Sequence, residues 1–175
     1  KQYFCYKKQN TYGIYKQLCE VIGFMGKADK TNVMRILERA KLPFEAFEYS
    51  PELTEGVLIA EALHEDNDLV FKTLVTESDK KEHFVFVIPV DKTLDLKAAA
   101  RSVGAKAVSM LKQKELLPLT GYIHGGCSPV GMKKKYNTFI DETCLLSDEI
   151  AVSAGERGHQ MILPPLALAQ LVSAE

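Results

Sequence analysis

Apolar residues recur at Val33, Ile36, Leu37 and Ala40, the spacing of one helical face, with Asp29 or Thr31 placed to cap its start. Pro43 ends that helix, a short strand is expected over 44–49, and Ser50-Pro51 breaks it before a second helix over 54–63. The period then shortens. Runs at 69–76 and 83–90 are rich in β-branched and aromatic residues, and the charged stretch Glu77-Ser78-Asp79-Lys80-Lys81 between them predicts a hairpin. In the second run Phe84, Phe86 and Ile88 occupy one face and Val85 and Val87 the other, so that strand is apolar on both sides. This is the pattern of a strand at a sheet centre.

Downstream, Asp95 caps an alanine-rich helix through Ser102, and Gly104 stands where a left-handed C-terminal residue is expected. A strand over 106–110 and a short helix over 112–117, stopped by Pro118, follow. Strands are predicted over 138–141, 149–153 and 160–163, and Pro164-Pro165 begins a closing apolar helix. Helices interspersed with hairpin-type strands indicate an α+β fold, a single domain with a mixed, mainly antiparallel sheet and surrounding helices. No internal repeat interrupts it.

Composition narrows the function classes. At 175 residues the chain can bury one sizeable core without disulfides or metals. Its 22 basic against 23 acidic residues, net charge -1, do not suit a general polyanion binder, so any nucleic-acid contact must come from a local patch. Residues 1–24 differ, with four lysines facing only Glu20; they read as an N-terminal extension, with Met25 opening the functional domain over 25–175. The cysteines at 5, 19, 127 and 144 form no Cys-x-x-Cys pair, and His64, His83, His124 and His159 are scattered. No metal or cofactor is therefore expected, and a reducing compartment is the simpler setting. No apolar run approaches the ~18 residues of a membrane span, so the chain is expected to be soluble, cytoplasmic and without a membrane partner.

Four features carry possible chemistry. Gly125-Gly126-Cys127-Ser128-Pro129-Val130-Gly131 is a loop whose glycines let a ligand approach the backbone, and Lys133-Lys134-Lys135 follow at once, either a solvated run or a set of phosphate contacts. Lys72 lies in the middle of a strand, where burial is costly unless it meets a cavity or an anion; an exposed edge is the alternative. Asp141 ends one strand and Ser153-Ala-Gly155-Glu-Arg157-Gly ends another, as turn residues or as site residues. Cys127, three residues from His124, also admits a thiol nucleophile, and Ser128 with His124 or His159 and Asp141 a serine triad, although Pro129 after the serine departs from a nucleophile elbow.

In order, Phe71-Lys72-Thr73-Leu74, the loop from Gly121-Tyr122 through Gly131, Ile140-Asp141 and the turn from Ser153 to Gly158 resemble the YbaK/EbsC branch of the YbaK/aminoacyl-tRNA editing family, over roughly residues 30–172. The resemblance implies a fold like the editing insertion of prolyl-tRNA synthetase and a Cys-tRNA(Pro) deacylase acting in trans. It implies Lys72, Gly125, Gly126 and Asp141 as catalytic residues; Tyr49, Cys127, Ser128, Pro129, Ser153, Gly155 and Arg157 would line the substrate site. Lys133, Lys134 and Lys135 would contact tRNA, and mischarged tRNA(Pro), with prolyl-tRNA synthetase, would be the partners. Two departures from the family pattern stand out: Cys127 at a position more often aliphatic or threonine, and Ala-Gly-Glu-Arg where Gly-Gly-Lys-Arg is familiar. The implied chemistry needs no protein nucleophile, because the substrate's own thiol attacks its ester. A non-catalytic module binding tRNA or synthetase, and editing of another aminoacyl group such as alanine, remain the alternatives.

Overall fold

The computed structural model describes residues 30–174, so the expectations placed on residues 1–24, Met25, Cys5, Cys19 and Asp29 lie outside the described residues. Helix α1 (Asn32–Ala40) starts where Thr31 Oγ1 accepts the Met34 N–H at 3.2 Å. Of its periodic residues Val33 and Leu37 are buried, Ile36 is half-buried and Ala40 is exposed, while Met34 is buried beside them. Strand β1 (Glu45–Glu48) and helix α2 (Gly56–Leu63) follow, the helix beginning two residues later than the sequence suggests because Glu55 holds extended backbone.

The predicted hairpin forms as β2 (Phe71–Ser78) and β3 (His83–Pro89), antiparallel with Lys72 opposite Ile88. It occupies the centre of a four-stranded sheet ordered β4-β2-β3-β5. The buried pattern of β3 on both faces is the reason: each face meets its own apolar cluster. Helix α3 (Leu96–Ser102) is capped by Asp95, which accepts from the Lys97 and Ala98 N–H groups at 2.8 and 3.0 Å. Strand β4 (Val108–Met110) is shorter than expected and pairs with the far half of β2. β5 (Asn137–Ile140) pairs parallel to β3, the one parallel ladder between described strands.

Helix α4 (Gln113–Thr120) corrects the expectation that Pro118 would stop it. Pro118 lies within the last turn, where it removes only the bond its own N–H would make, and the end of the helix is held from outside. Lys133 Nζ donates to Leu117 O at 3.3 Å and Pro118 O at 3.4 Å, Tyr136 Oη donates to Leu119 O at 3.0 Å, and Lys133 N–H reaches Thr120 O at 3.0 Å. Gly121, at φ 88°, then turns the chain away.

The expected single sheet is divided. β6 (Ile150–Ser153), β7 (His159–Leu163) and β1 form a separate antiparallel sheet ordered β1-β7-β6, joined to the first by a parallel bridge between Val70 and Ala151. Helix α5 (Pro165–Val172) closes the fold, with Leu168 fully buried. One side of the two sheets packs with α1 and α5 in the main core, around Phe71, Val85, Val152 and Met161. The other side carries two smaller clusters: α3 alanines against Phe84 and Phe86, and α2 residues Ala60 and Leu63 against Val70, Val90 and Ala151. Among the described residues no helix is long and apolar enough to cross a membrane.

Candidate functional site

Lys72 stands in the gap between those two clusters. Its strand neighbour on one side, Val70, belongs to the patch under α2, and on the other, Leu74, to the patch under α3. The half-buried ammonium donates to Val90 O at 2.8 Å. Loss of water around it lowers the lysine pKa, and the nearby Asp91 carboxylate acts in the opposite sense. A charge kept in this position with one carbonyl partner has donors left for an incoming group.

Register then assembles the rest of the face. Val70 bridges Ala151 in parallel, and Lys72 and Ser153 each lie two residues beyond that bridge; Ser153 pairs with Gln160, and Gln160 with Phe47. Because alternate residues share a face, Ser153, Gln160 and Phe47 form one row across the second sheet, on the side of Ala151, and Lys72 lies on the Val70 side of the first. Tyr49 continues β1 on the same face, its N–H donating to Gly158 O at 2.9 Å. Burial raises the Tyr49 pKa, partly opposed by the Gly158 backbone and the Arg157 charge.

The glycine loop forms the adjoining wall. Gly125 sits at φ 83°, with Thr54 and Arg157 beside it. At Gly126 a methyl group would come within 3.0 Å of Arg157 N and 3.1 Å of Glu156 C, so this glycine lets two main chains touch. Arg157 Nε fastens the contact by donating to His124 O at 2.8 Å. Ser153 Oγ accepts the Gly155 N–H at 3.2 Å, which fixes the start of the facing turn. The segment before α2 completes the contact: Thr54 touches the Gly125 position, and Gly56 packs directly on Val90, the residue that holds Lys72.

Beyond Gly126 the loop turns inward. Cys127, Ser128, Pro129 and Val130 are buried, Ser128 completely, and its Oγ accepts the Val130 N–H at 3.3 Å. The side chains of Cys127, Ser128 and Pro129, expected to line the substrate site, are thus packing groups, because the chain must enter the core to let Tyr122 reach Val130 O. Burial pushes the Cys127 thiol up to about 12, so it is a thiol and not a thiolate at neutral pH. The serine triad does not assemble either. Ser128 has no histidine partner, His159 Nε2 faces Glu48 at 3.9 Å, and Asp141 Oδ1 accepts from Thr143 N–H and Oγ1 at 3.0 and 2.7 Å.

Asp141 lies one residue past β5 with its N–H on Val87 O at 2.9 Å, and its carboxylate caps the 3-10 turn Glu142–Leu146. Among the lysines, Lys133 is committed to the end of α4, while Lys134 and Lys135 are exposed. Of two concavities of about 400 and 310 Å³, the first lies beside His83 and Lys114 and the second behind Tyr122 and Gly131, where Ala154, Gly155 and Glu156 of the facing turn line it; neither includes Lys72. Sequence reasoning missed Thr54, Gly56 and Gln160; only Gln160 left a trace, as a polar residue within an apolar closing strand.

The arrangement offers a half-buried cation, the Gly125 amide and the polar side chains of Ser153, Gln160 and Tyr49, without a nucleophile. Known proteins place it. The aminoacyl-tRNA editing domain family matches residues 54–171. The chain is 43% identical over 148 residues to EbsC of Enterococcus faecalis (strain ATCC 700802 / V583), a proposed Cys-tRNA(Pro)/Cys-tRNA(Cys) deacylase, covering 83% of this chain and 90% of that protein. A crystal structure of a proposed trans-editing enzyme for prolyl-tRNA synthetase superposes with TM-score 0.70 at 25% identity, covering 82% of this chain and 90% of the other. A hypothetical protein of known structure shares the fold, at TM-score 0.75 and 20% identity over 82% of this chain and 97% of its own. The match over residues 54–171, with 43% identity to EbsC across 83% of the chain, places the chain in the aminoacyl-tRNA editing domain family.

Proposed function

We propose that this protein is a trans-acting deacylase that releases cysteine from mischarged Cys-tRNA(Pro). The observation that carries the reading is the composition of the site: a half-buried Lys72 and a Gly125-Gly126 backbone packed against the Glu156-Arg157 turn, while the one thiol of the loop is buried and protonated. Such a site orients a reactive substrate and leaves the bond-forming group to that substrate. An aminoacyl ester already has a workable leaving group; Gly126 N–H is held by Ile123 O at 3.0 Å, so the Gly125 amide is the wall donor that suits the charge developing on the carbonyl oxygen. Lys72 serves as a donor to the terminal ribose or phosphate of the tRNA end.

The bond-forming group is the substrate's own thiol. Its sulfur attacks the ester carbonyl carbon, the C–O bond to the ribose breaks, and the thiol proton passes to the departing ribose oxygen. The four-membered thiolactone so formed is opened by water to free cysteine. Holding sulfur and carbonyl together supplies an effective concentration that contributes up to about 7–11 kcal/mol in well-aligned cases. Lys134 and Lys135, exposed after the wall, provide phosphate contacts for the acceptor end. Prolyl-tRNA synthetase is the partner that would present tRNA(Pro).

Incubation with Cys-, Ser- and Ala-tRNA(Pro), with and without prolyl-tRNA synthetase, tests the proposal by release of free amino acid. Cysteine release with Ser-tRNA(Pro) spared is the expected result, since a hydroxyl replaces the thiol at nearly equal size. Equal cleavage of the alanyl ester would replace substrate assistance by size selection. Tight tRNA binding without release would leave a binding module.

A further inference from the structure

Three buried side-chain polar atoms among the described residues have no hydrogen-bond partner: Tyr49 Oη, Thr73 Oγ1 and Gln160 Oε1. Two of them share the face described above, at successive paired positions. Gln160 stands opposite Phe47, and Tyr49 is two residues beyond Phe47 on the same strand. Gln160 is only 4% exposed, so its carboxamide oxygen is removed from water as well as from protein donors. An unpaired buried acceptor is costly, and the orphaned Gln160 oxygen on this face marks the place where a ligand completes the set.

Several acceptors around the row are already occupied. Val90 O takes the Lys72 ammonium, His124 O takes Arg157, and Ser153 Oγ takes Gly155 N–H. Both Thr143 donors fall on Asp141 Oδ1. An aminoacyl ester brings one strong donor, its α-amino group, and this group needs an acceptor that carries no positive charge. We infer that Gln160 is the residue that receives the α-amino group of the aminoacyl substrate, through Oε1, and so sets selectivity for α-amino esters within this site. Gln160 is a substrate-binding residue in this assignment, which rests on the deacylase reading above.

Binding of two non-hydrolysable compounds tests it: 3′-cysteinylamino-3′-deoxyadenosine and its counterpart carrying 3-mercaptopropionyl, which lacks only the α-amino group. The wild-type protein should bind the first about 10- to 100-fold more tightly, the range expected of a hydrogen bond to a charged donor. Gln160→Met keeps the length and volume but removes the acceptor; it should bind both compounds equally, at the weaker level. Gln160→Glu retains an acceptor and should restore the preference. If Gln160→Met keeps the preference, or loses affinity for both compounds by the same factor, the assignment is wrong. Should Gln160→Met fail to fold, absence of any preference in the wild-type protein overturns it equally. The deacylase reading fails separately, if wild-type protein releases no cysteine from Cys-tRNA(Pro) while the binding comparison still reports on Gln160.

Discussion

Replacing Gly126 by alanine isolates the contact between the glycine loop and the facing turn. The added methyl would meet Arg157 N at 3.0 Å, Glu156 C at 3.1 Å and Glu156 Cα at 3.3 Å, where ordinary contacts begin near 3.4 Å. All three are main-chain atoms, so no side chain can swing aside and the turn must retreat by a few tenths of an ångström. That turn is tied at both ends, by Ala154 N–H to His159 O at 3.1 Å and His159 N–H to Glu156 O at 3.3 Å. Its retreat therefore moves Arg157 away from His124 O and Gly158 away from Tyr49. Overpacking of this kind costs about 1–3 kcal/mol, which for a domain of this size lowers Tm by roughly 3–10 °C. Displacement of a positioning wall by part of an ångström lowers kcat/KM by about tenfold or more, since a full ångström costs on the order of 100-fold.

Thermal melts together with single-turnover deacylation of Cys-tRNA(Pro), at a temperature where every variant is folded, measure both effects. Gly104→Ala is the matched control: at φ 65° it strains the backbone by about 1–2 kcal/mol, but a methyl there meets nothing within 4 Å. Gly104 also lies in the loop beside the hairpin turn, where Asp79 N–H reaches Ala107 O at 3.1 Å, away from Lys72. It should lose stability and keep kcat/KM. Full activity in Gly126→Ala, or an equal loss in Gly104→Ala, would refute the role given to the loop contact.

Further outcomes can be read from the same structure. Lys72→Met removes the donor that faces the gap and should lower kcat/KM by about 100-fold while the fold is retained; turnover within a few-fold of wild type would exclude Lys72 from the chemistry. Because the Lys72 pKa is lowered, activity corrected for spontaneous ester hydrolysis should decline with rising pH earlier than an ordinary lysine would dictate, and Lys72→Met should lack that decline. The Cys127 thiol is raised from 9.0 to about 12, so the folded chain keeps a proton that the unfolded chain releases, and stability must fall as pH climbs from about 9 toward 12. The slope is about 1.4 kcal/mol per pH unit for one proton, and urea midpoints in Cys127→Ala should fall less steeply while deacylation persists; identical slopes would contradict the burial argument. Lys133→Ala should lower Tm by removing the ammonium that holds the end of α4, whereas Lys134→Ala and Lys135→Ala should leave Tm unchanged and each reduce the salt dependence of tRNA binding by about one unit. Loss of tRNA affinity without loss of Tm in Lys133→Ala would reverse that division.

Periodicity and capping chemistry sufficed for what depends on neighbours in the chain. Val33, Ile36 and Leu37 define α1, Asp95 starts α3, and the two-sided apolar pattern of 84–88 places β3 at a sheet centre, because one strand's own side chains report how many of its faces are covered. Lys72 and the paired glycines were likewise visible, each as a residue out of keeping with its segment. Tertiary structure decided the rest through contacts between residues far apart in the chain. The run Lys133-Lys134-Lys135 is uniform as sequence, yet the first lysine reaches back to the last turn of α4 and donates to Leu117 O and Pro118 O. Cys127 and Ser128 read as surface chemistry until the loop enters the core, where burial removes the thiolate and a local hydrogen bond occupies the hydroxyl. Gln160 shows in the sequence only as a polar residue in an apolar strand; the role inferred for it depends on pairing with Phe47 and Ser153, and on the bridge from Ala151 to Val70, which set the face it occupies. Strand pairing is set by packing across the whole domain, and a single strand's sequence fixes its faces but not the neighbours those faces will share.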